Sequence, residues 1–153
     1  MDPKYLTQLL ADQIKILKAA RDVLRESHVR VAVILAKSES EELTPGERES
    51  CEALTSRFAR LSDFLFMRAF RTLDQLELSD DGSGIDRLNR MEKRGVINSS
   101  LEWRFIRELR NSIAHEYLLE RSDTVLKEAF RCSEVLFKTV EMYLDYCTKK
   151  IQA

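Results

Sequence analysis

The stretch Thr44–Leu78, TPGERESCEALTSRFARLSDFLFMRAFRTLDQLEL, predicts one long amphipathic helix. It opens with an N-cap threonine, a proline at the first helical position and Glu47 three residues after the cap, which is the capping-box pattern. Apolar residues then recur at the helical period, at Leu54, Phe58, Leu61, Leu65, Phe66, Ala69, Phe70 and Leu73. This stretch therefore favours a helical fold for the chain around it.

The N-terminal segment has the same period. Pro3 suits the first turn of a helix that we predict to about Glu26. Val29–Ala36 is β-branched, but no second candidate strand exists to pair with its backbone. We therefore predict that it continues the helix or forms a short second one, with a kink near Ser27–His28. His28 is accordingly interpreted as a surface or kink residue and not as a ligand.

Four further boundary signals divide the second half of the chain. They are the turn Ser79–Gly84, the glycine Gly95 that ends a short helix Ile85–Arg94, a capping box of Ser99 with Glu102, and the cap Ser122–Asp123 of a last helix that frays at Lys149–Lys150. The predicted fold is all-α, an antiparallel up-and-down bundle of four main helices plus one short helix. A chain of 153 residues is the length of a single domain, and we expect that domain to span residues 1–153.

Composition excludes several classes of function. The 25 basic and 26 acidic residues nearly cancel, so a nucleic-acid surface would have to be a local patch. Cys51, Cys132 and Cys147 lack C-x-x-C spacing, which argues against a disulfide framework or a zinc site. We expect small buried or half-buried side chains in a reducing cytoplasm. We see no signal peptide and no apolar run long enough to span a membrane, and no motif that requires a metal or cofactor.

The stretch Arg104–Tyr117, RFIRELRNSIAHEY, contains the candidate catalytic residues. Arg110, Asn111, His115 and Tyr117 give the pattern R-N-x-x-x-H-x-Y. Histidine titrates near neutral pH and can transfer protons, and an arginine can hold phosphate oxygens through its planar fork of donors. One proton-transfer group beside one fixed cation suits phosphoryl-transfer chemistry on an anionic substrate.

Helix geometry limits how these residues can cooperate. Asn111 and His115 share one face of a helix, whereas Arg110 and His115 lie about 140° apart on an ideal one. Three arrangements would bring them together: a break in the helix near Ala114, an arginine that reaches round it, or a second copy of the chain in a twofold dimer. A dimer would also supply two histidines, and RNA cleavage by the 2′-hydroxyl benefits from both an acid and a base.

Arginines are concentrated next to the motif, between residues 87 and 110. The candidate RNA-binding side chains are Arg90, Arg94, Arg104 and Arg107. The alternative interpretation is a solvated charged face with helical ion pairs such as Arg104–Glu108.

At these residues the chain resembles the HEPN superfamily, and most closely the HepT-like toxins of HepT/MNT toxin–antitoxin systems. Their signature is R-x4-H-x-Y, usually with asparagine after the arginine, and it matches Arg110, Asn111, His115 and Tyr117. The resemblance implies a metal-independent endoribonuclease, a hydrolase acting as a homodimer on tRNA or mRNA with the motif in the dimer cleft. Arg110 would steady the scissile phosphate, His115 would act as base or acid, and Asn111 would orient them.

The resemblance also implies a partner and a form of regulation. In that family the partner is an MNT-type nucleotidyltransferase antitoxin, and Tyr117 matches the tyrosine that it modifies with AMP. Such a modification adds bulk and negative charge to the site.

Two other functions stay open at this point. One is a non-catalytic helical module that docks a nucleotidyltransferase or a nucleotide, and the other is a bundle used only for oligomerisation.

Overall fold

The computed structural model describes residues 2–115 and 124–152, and within these ranges it contains helices and no strand. The elements are α1 (Pro3–Leu35), α2 (Pro45–Phe64), a π turn (Leu65–Ala69), α3 (Phe70–Leu76), α4 (Gly84–Arg94), α5 (Ser100–His115) and α6 (Thr124–Gln152). The predicted all-α fold class is confirmed.

The long helix predicted from Thr44 is present as α2, the π turn and α3, which follow one another without a break. The capping box is complete, because Thr44 Oγ1 accepts the Glu47 N–H at 3.1 Å and the Glu47 carboxylate accepts the Thr44 N–H at 3.0 Å. The helix ends at Leu76, two residues before the predicted end at Leu78. The π turn was not predicted.

Side chains from other helices bind carbonyl groups of the π turn. A π turn inserts one extra residue into an α-helix, so carbonyl groups lose their usual helical partners there. The buried Tyr143 hydroxyl of α6 donates to the Ala69 carbonyl at 3.0 Å, and Arg87 Nη1 of α4 donates to the Phe66 carbonyl at 3.2 Å. Helices α6 and α4 thus each donate one hydrogen bond to a carbonyl group of the π turn.

Helix α1 resolves the two alternatives left open for Val29–Ala36. It continues without interruption to Leu35, and Val31 and Ile34 are buried. Arg57 of α2 donates to the Ser27 hydroxyl at 2.8 Å and to the Val23 carbonyl at 3.1 Å, which ties the middle of α1 to α2. The β-branched run is helical because its buried face packs in the core, and tertiary packing overrides intrinsic propensity.

The remaining predicted boundaries are those of α4, α5 and α6. Gly95 ends α4 in the left-handed conformation with φ 75°, as predicted, and the Ser99 hydroxyl accepts the Glu102 N–H at 3.1 Å. Helix α6 continues to Gln152, past the predicted fraying point. The predicted cap Ser122–Asp123 lies outside the described residues.

A single cluster of buried apolar side chains draws on every helix. Helices α1, α2 and α6 pack against one another, α5 packs against α2 and α6, and α4 packs against α5 and α3. The predicted burial of the three cysteines is confirmed, and burial raises the pKa of Cys51 and Cys147 to about 11. In the part of the chain that the structure describes, no helix combines the length and apolar character that a membrane crossing requires.

Candidate functional site

Helix α5 carries the candidate residues and is fixed by its opposite face. Trp103, Ile106 and Leu109 form its buried stripe. The Trp103 indole N–H donates to Thr139 Oγ1 of α6 at 3.0 Å, in the core. A helix whose apolar stripe is held this firmly must present its remaining residues at defined angles around its axis.

Asn111 and His115 lie on the outward side of α5, and both are exposed. On an ideal helix Arg104, Glu108, Asn111 and His115 fall within a sector of about 60°. Arg104 and Glu108 are exposed as well. We call these four residues the α5 stripe. Helix α5 is regular through Ala114 and His115, so the helix break considered above is absent.

Arg110 points away from this stripe, towards α2. Its Nε donates to Asp63 Oδ1 at 2.8 Å and its Nη2 donates to Asp63 Oδ2 at 2.9 Å, which is a bidentate pair. The pairing raises the pKa of Arg110 further above its usual value. Partial burial acts to raise the pKa of Asp63, but the bonds and charges of Arg110 and Arg107 outweigh it and lower that pKa.

Arg107 shares the same carboxylate. Its Nη1 donates to Asp63 Oδ1 at 2.9 Å and to the Ser62 hydroxyl at 3.0 Å, and its guanidinium lies 4.7 Å from the centre of the Phe66 ring. Sequence reasoning did not single out Asp63. The available signal was a carboxylate within the apolar run Leu61–Phe66, where an acidic side chain needs a partner.

Arg90 and Arg94 were expected to contact RNA, but their guanidinium groups bind inside the fold. Arg90 forms a bidentate pair with the fully buried Asp74, with contacts of 3.0 and 2.9 Å. Arg94 Nη1 donates to the same carboxylate at 2.5 Å and its Nε donates to Glu77 at 2.7 Å. We therefore no longer count these two arginines among the candidate RNA ligands. Their shared helix face is directed at α3 and not at solvent.

Arg104 is different, because it is exposed and forms no ion pair within the described ranges. It borders a surface groove of about 350 Å³ between α5, the π turn and the start of α4. Arg104 has no ion-pair partner among the described residues and is accessible to a ligand. Arg107 borders the same groove while bound to Asp63, and Arg110 is oriented by Asp63 next to it.

The structure describes the motif as far as His115. Tyr117, the predicted modification site, lies outside the described residues. The second histidine, His28, is half-buried and stacks on Phe130 with 4.1 Å between ring centres and 3° between planes. Its Nε2 is 3.5 Å from Glu134 Oε1. His28 therefore contacts α6 from the uninterrupted helix α1, whereas we expected a surface or kink residue.

No model of a known protein family matches the sequence, and neither a curated protein nor a solved structure matches the chain.

Proposed function

We propose that this protein is a HEPN-type, metal-independent endoribonuclease that acts as a homodimer. The observation that carries the proposal is the end of α5, where an arginine oriented by a carboxylate and an exposed histidine lie five residues apart. A held guanidinium can bind the phosphate and an accessible imidazole can transfer a proton, and metal-independent cleavage of a phosphodiester can use both.

Asp63 positions Arg110 without using up its donors. An arginine has five N–H groups, and the bidentate pair takes one from Nε and one from Nη2. Within residues 2–115 and 124–152, both N–H groups of Nη1 and one of Nη2 have no hydrogen-bond partner and are left for a phosphate. Because the guanidinium is planar and held at one edge, the remaining donors have a fixed direction. This pre-orientation supports a role in steadying a scissile phosphate.

The chemistry follows from these groups. One imidazole removes the proton of a ribose 2′-hydroxyl, whose oxygen attacks the adjacent phosphorus. The bond from phosphorus to the 5′-oxygen breaks, and a second, protonated imidazole donates a proton to that oxygen. The products are a 2′,3′-cyclic phosphate and a 5′-hydroxyl. Arg110 offsets the negative charge that develops on the phosphate, and Asn111 orients the reacting groups from the same face as His115.

A dimer fits the direction of the side chains. With α5 regular and Arg110 turned to α2, one chain directs its arginine and its histidine to different sides. A twofold axis near His115 would bring two histidines together and supply both the acid and the base.

The proposal includes the antiparallel up-and-down arrangement of the four main helices, a reducing cytoplasm, and an MNT-type nucleotidyltransferase that silences the toxin by modifying Tyr117 with AMP.

The test is cleavage of total RNA and of tRNA by the purified protein in EDTA. Wild type is compared with His115→Ala, Arg110→Ala and the control Arg30→Ala, an exposed arginine of α1. We expect cleavage by wild type and by the control, and losses of at least about a hundredfold in the two site variants. Equal cleavage by all four proteins would identify a contaminant. Intact mass shows whether the purified chain carries AMP.

A second candidate function is a non-catalytic module that docks a nucleotidyltransferase or a nucleotide. The observation in its favour is that the single charge of Asp63 partly offsets those of Arg110 and Arg107, which weakens their attraction for phosphate. An unmodified wild-type chain that cleaves no RNA, yet binds a nucleotidyltransferase, would select this function over the nuclease.

A further inference from the structure

We propose that the groove beside Arg104 is a nucleotide-binding subsite for a single RNA strand. This inference rests on the proposed function, since it takes RNA as the ligand and extends the path of RNA away from His115. The groove, called the Phe66 groove below, is lined by Phe66, Ser83, Gly84, Ile85, Leu88, Arg104, Arg107 and Glu108.

The floor of the Phe66 groove is apolar and lies against a glycine. Phe66 belongs to the π turn and is half-buried, Leu88 is buried, and Ile85 is 46% exposed at the rim. A Cβ atom added at Gly84 would approach Phe66 Cζ to 2.9 Å, so the missing side chain lets the ring lie against the first turn of α4. The Phe66 ring thus lies against the first turn of α4, and the guanidinium groups of Arg107 and Arg87 lie 4.7 and 5.4 Å from its centre.

Two arginines line the rim of the groove on the side of α5. Arg107 covers the Phe66 ring at 4.7 Å while bound to Asp63, so its plane is held in place. Arg104 is exposed and has no ion pair in the described part of the chain. Glu108 is the one acidic side chain among the lining residues. Because Arg107 is bound to Asp63, Arg104 is the cation that remains for a phosphate, and the guanidinium plane of Arg107 on Phe66 is the flat surface for a base. These are the two groups that bind a nucleotide.

The groove is continuous with the site of cleavage. Arg104 and Glu108 border it, and Asn111 and His115 follow them on the α5 stripe. The rise from Arg104 to His115 on an ideal helix is about 16 Å. A strand that follows this stripe meets a base-stacking surface and a phosphate-binding arginine before it reaches the histidine. Arg104 is therefore a binding residue for the flanking nucleotide, and Phe66 supports the Arg107 plane on which its base stacks. Neither is a catalytic residue.

The experiment measures binding, separately from cleavage. The probe is a fluorescently labelled single strand of 2′-O-methyl RNA, which internal attack cannot cleave because its 2′-oxygens are blocked. A matched strand carries abasic sites at its central positions. Fluorescence anisotropy gives Kd for both strands at several salt concentrations. Thermal unfolding followed by circular dichroism verifies the fold of every variant.

We expect Arg104→Ala to raise Kd roughly tenfold and to reduce the slope of log Kd against log salt by about one. Ile85→Glu should raise Kd for both strands, and an acidic residue in the first turn of α4 is compatible with folding. Phe66→Leu should remove most of a roughly tenfold preference for the base-bearing strand. The controls are Arg30→Ala and Ile16→Glu, which make the same charge changes at exposed positions of α1.

Three results would overturn the inference. They are wild-type affinity in both Arg104→Ala and Ile85→Glu, equal affinity of wild type for the two strands, or equal losses in the α1 controls. If Phe66→Leu does not fold, Ile85→Glu decides the outcome. Failure of the subsite is distinguishable from failure of the proposed function. If wild type cleaves ordinary RNA and Arg104→Ala keeps the wild-type Kd, only the proposed subsite is refuted. If binding depends on Arg104 but wild type does not cleave RNA, only the proposed nuclease activity is refuted.

Discussion

Asp63 binds two arginines of α5 at once, and this limits what each of them can do. As far as the described residues go, Arg110 keeps three N–H groups for a ligand, whereas Arg107 is directed at Ser62 and the Phe66 ring. The direction and the free donors of a guanidinium near a candidate active site therefore depend on the carboxylate that binds it, and not only on its distance from the histidine.

The role of Asp63 can be tested by Asp63→Asn, which keeps the shape of the side chain and removes its charge. We expect the free energy of unfolding to fall by about 1 kcal/mol, because charge-assisted bonds at a partly exposed site are lost. We expect kcat/KM for RNA to fall roughly tenfold, because Arg110 loses its fixed direction. Urea unfolding and cleavage rates measure the two effects. Asp80→Asn, at an exposed turn position, is the control, and equal rates in both variants would contradict a positioning role.

Glu47 predicts a pH dependence of stability. The side-chain bond from Lys37 and the backbone bond from Thr44 lower the pKa of Glu47 to about 2, below its ordinary value of 4.5. A depressed folded-state pKa means that this stabilisation is complete above about pH 5 and is lost as pH falls towards 2. We expect Glu47→Gln, which keeps the capping geometry, to lose less stability between pH 5 and 2 than wild type in urea unfolding. Parallel losses in both proteins would contradict this assignment.

At the scale of elements, α3 and α4 end in the same backbone motif with different residues. Each has a 6→1 bond, Ser79 N–H to the Asp74 carbonyl at 2.9 Å and Val96 N–H to the Met91 carbonyl at 2.9 Å. The left-handed position is Gly95 in α4, but it is Leu78 with φ 56° in α3. Leu78 is 92% exposed, so its side chain contributes little packing there.

This pair gives two substitutions with opposite signs. Leu78→Gly should stabilise the protein by about 0.5–1 kcal/mol, because relief of the left-handed strain exceeds the entropy cost of glycine. Gly95→Ala should destabilise the protein by about 1 kcal/mol, because alanine is strained in the left-handed conformation. An added Cβ meets no atom within 4 Å, so the backbone conformation is the source of this loss. Urea midpoints measure both, and a loss of stability in Leu78→Gly would contradict the argument.

The connection between α3 and α4 depends on buried Asp74, which binds Arg90 and Arg94 and lies 3.5 Å from Arg87 Nε. Asp74→Ala leaves three arginines of one helix face without their common carboxylate. We expect a loss of about 3 kcal/mol or more in the free energy of unfolding, with amide hydrogen exchange rising first in α4. Asp80→Ala serves as the exposed control, and similar exchange in both variants would show that α4 is held by its apolar residues alone.

For the whole molecule, the central prediction is that activity belongs to a dimer. If two chains are needed for one site, cleavage should rise with the square of protein concentration below the dissociation constant of the dimer and linearly above it. Sedimentation over the same concentrations should give the mass of two chains where the dependence becomes linear. Activity proportional to protein at concentrations where the chain is a monomer would refute a composite site.

Local patterns were sufficient for much of the fold. The capping box at Thr44, the glycine at Gly95 and the burial of the cysteines depend on residues close in sequence or on apolar character alone, and all three predictions are confirmed. The π turn Leu65–Ala69 was not predictable, because its carbonyl partners Tyr143 and Arg87 are distant in sequence.

The sequence by itself determined that the chain is helical and that Asn111 and His115 share a face, because helical periodicity and capping are local properties of the chain. Only the tertiary structure decided which arginines are available. Arg90, Arg94, Arg104, Arg107 and Arg110 look alike in sequence, yet three-dimensional packing brings Asp74 to the first two, Asp63 to the last two and no partner among the described residues to Arg104. The physical reason is that an ion pair depends on distance in space, which helix packing sets and sequence spacing does not.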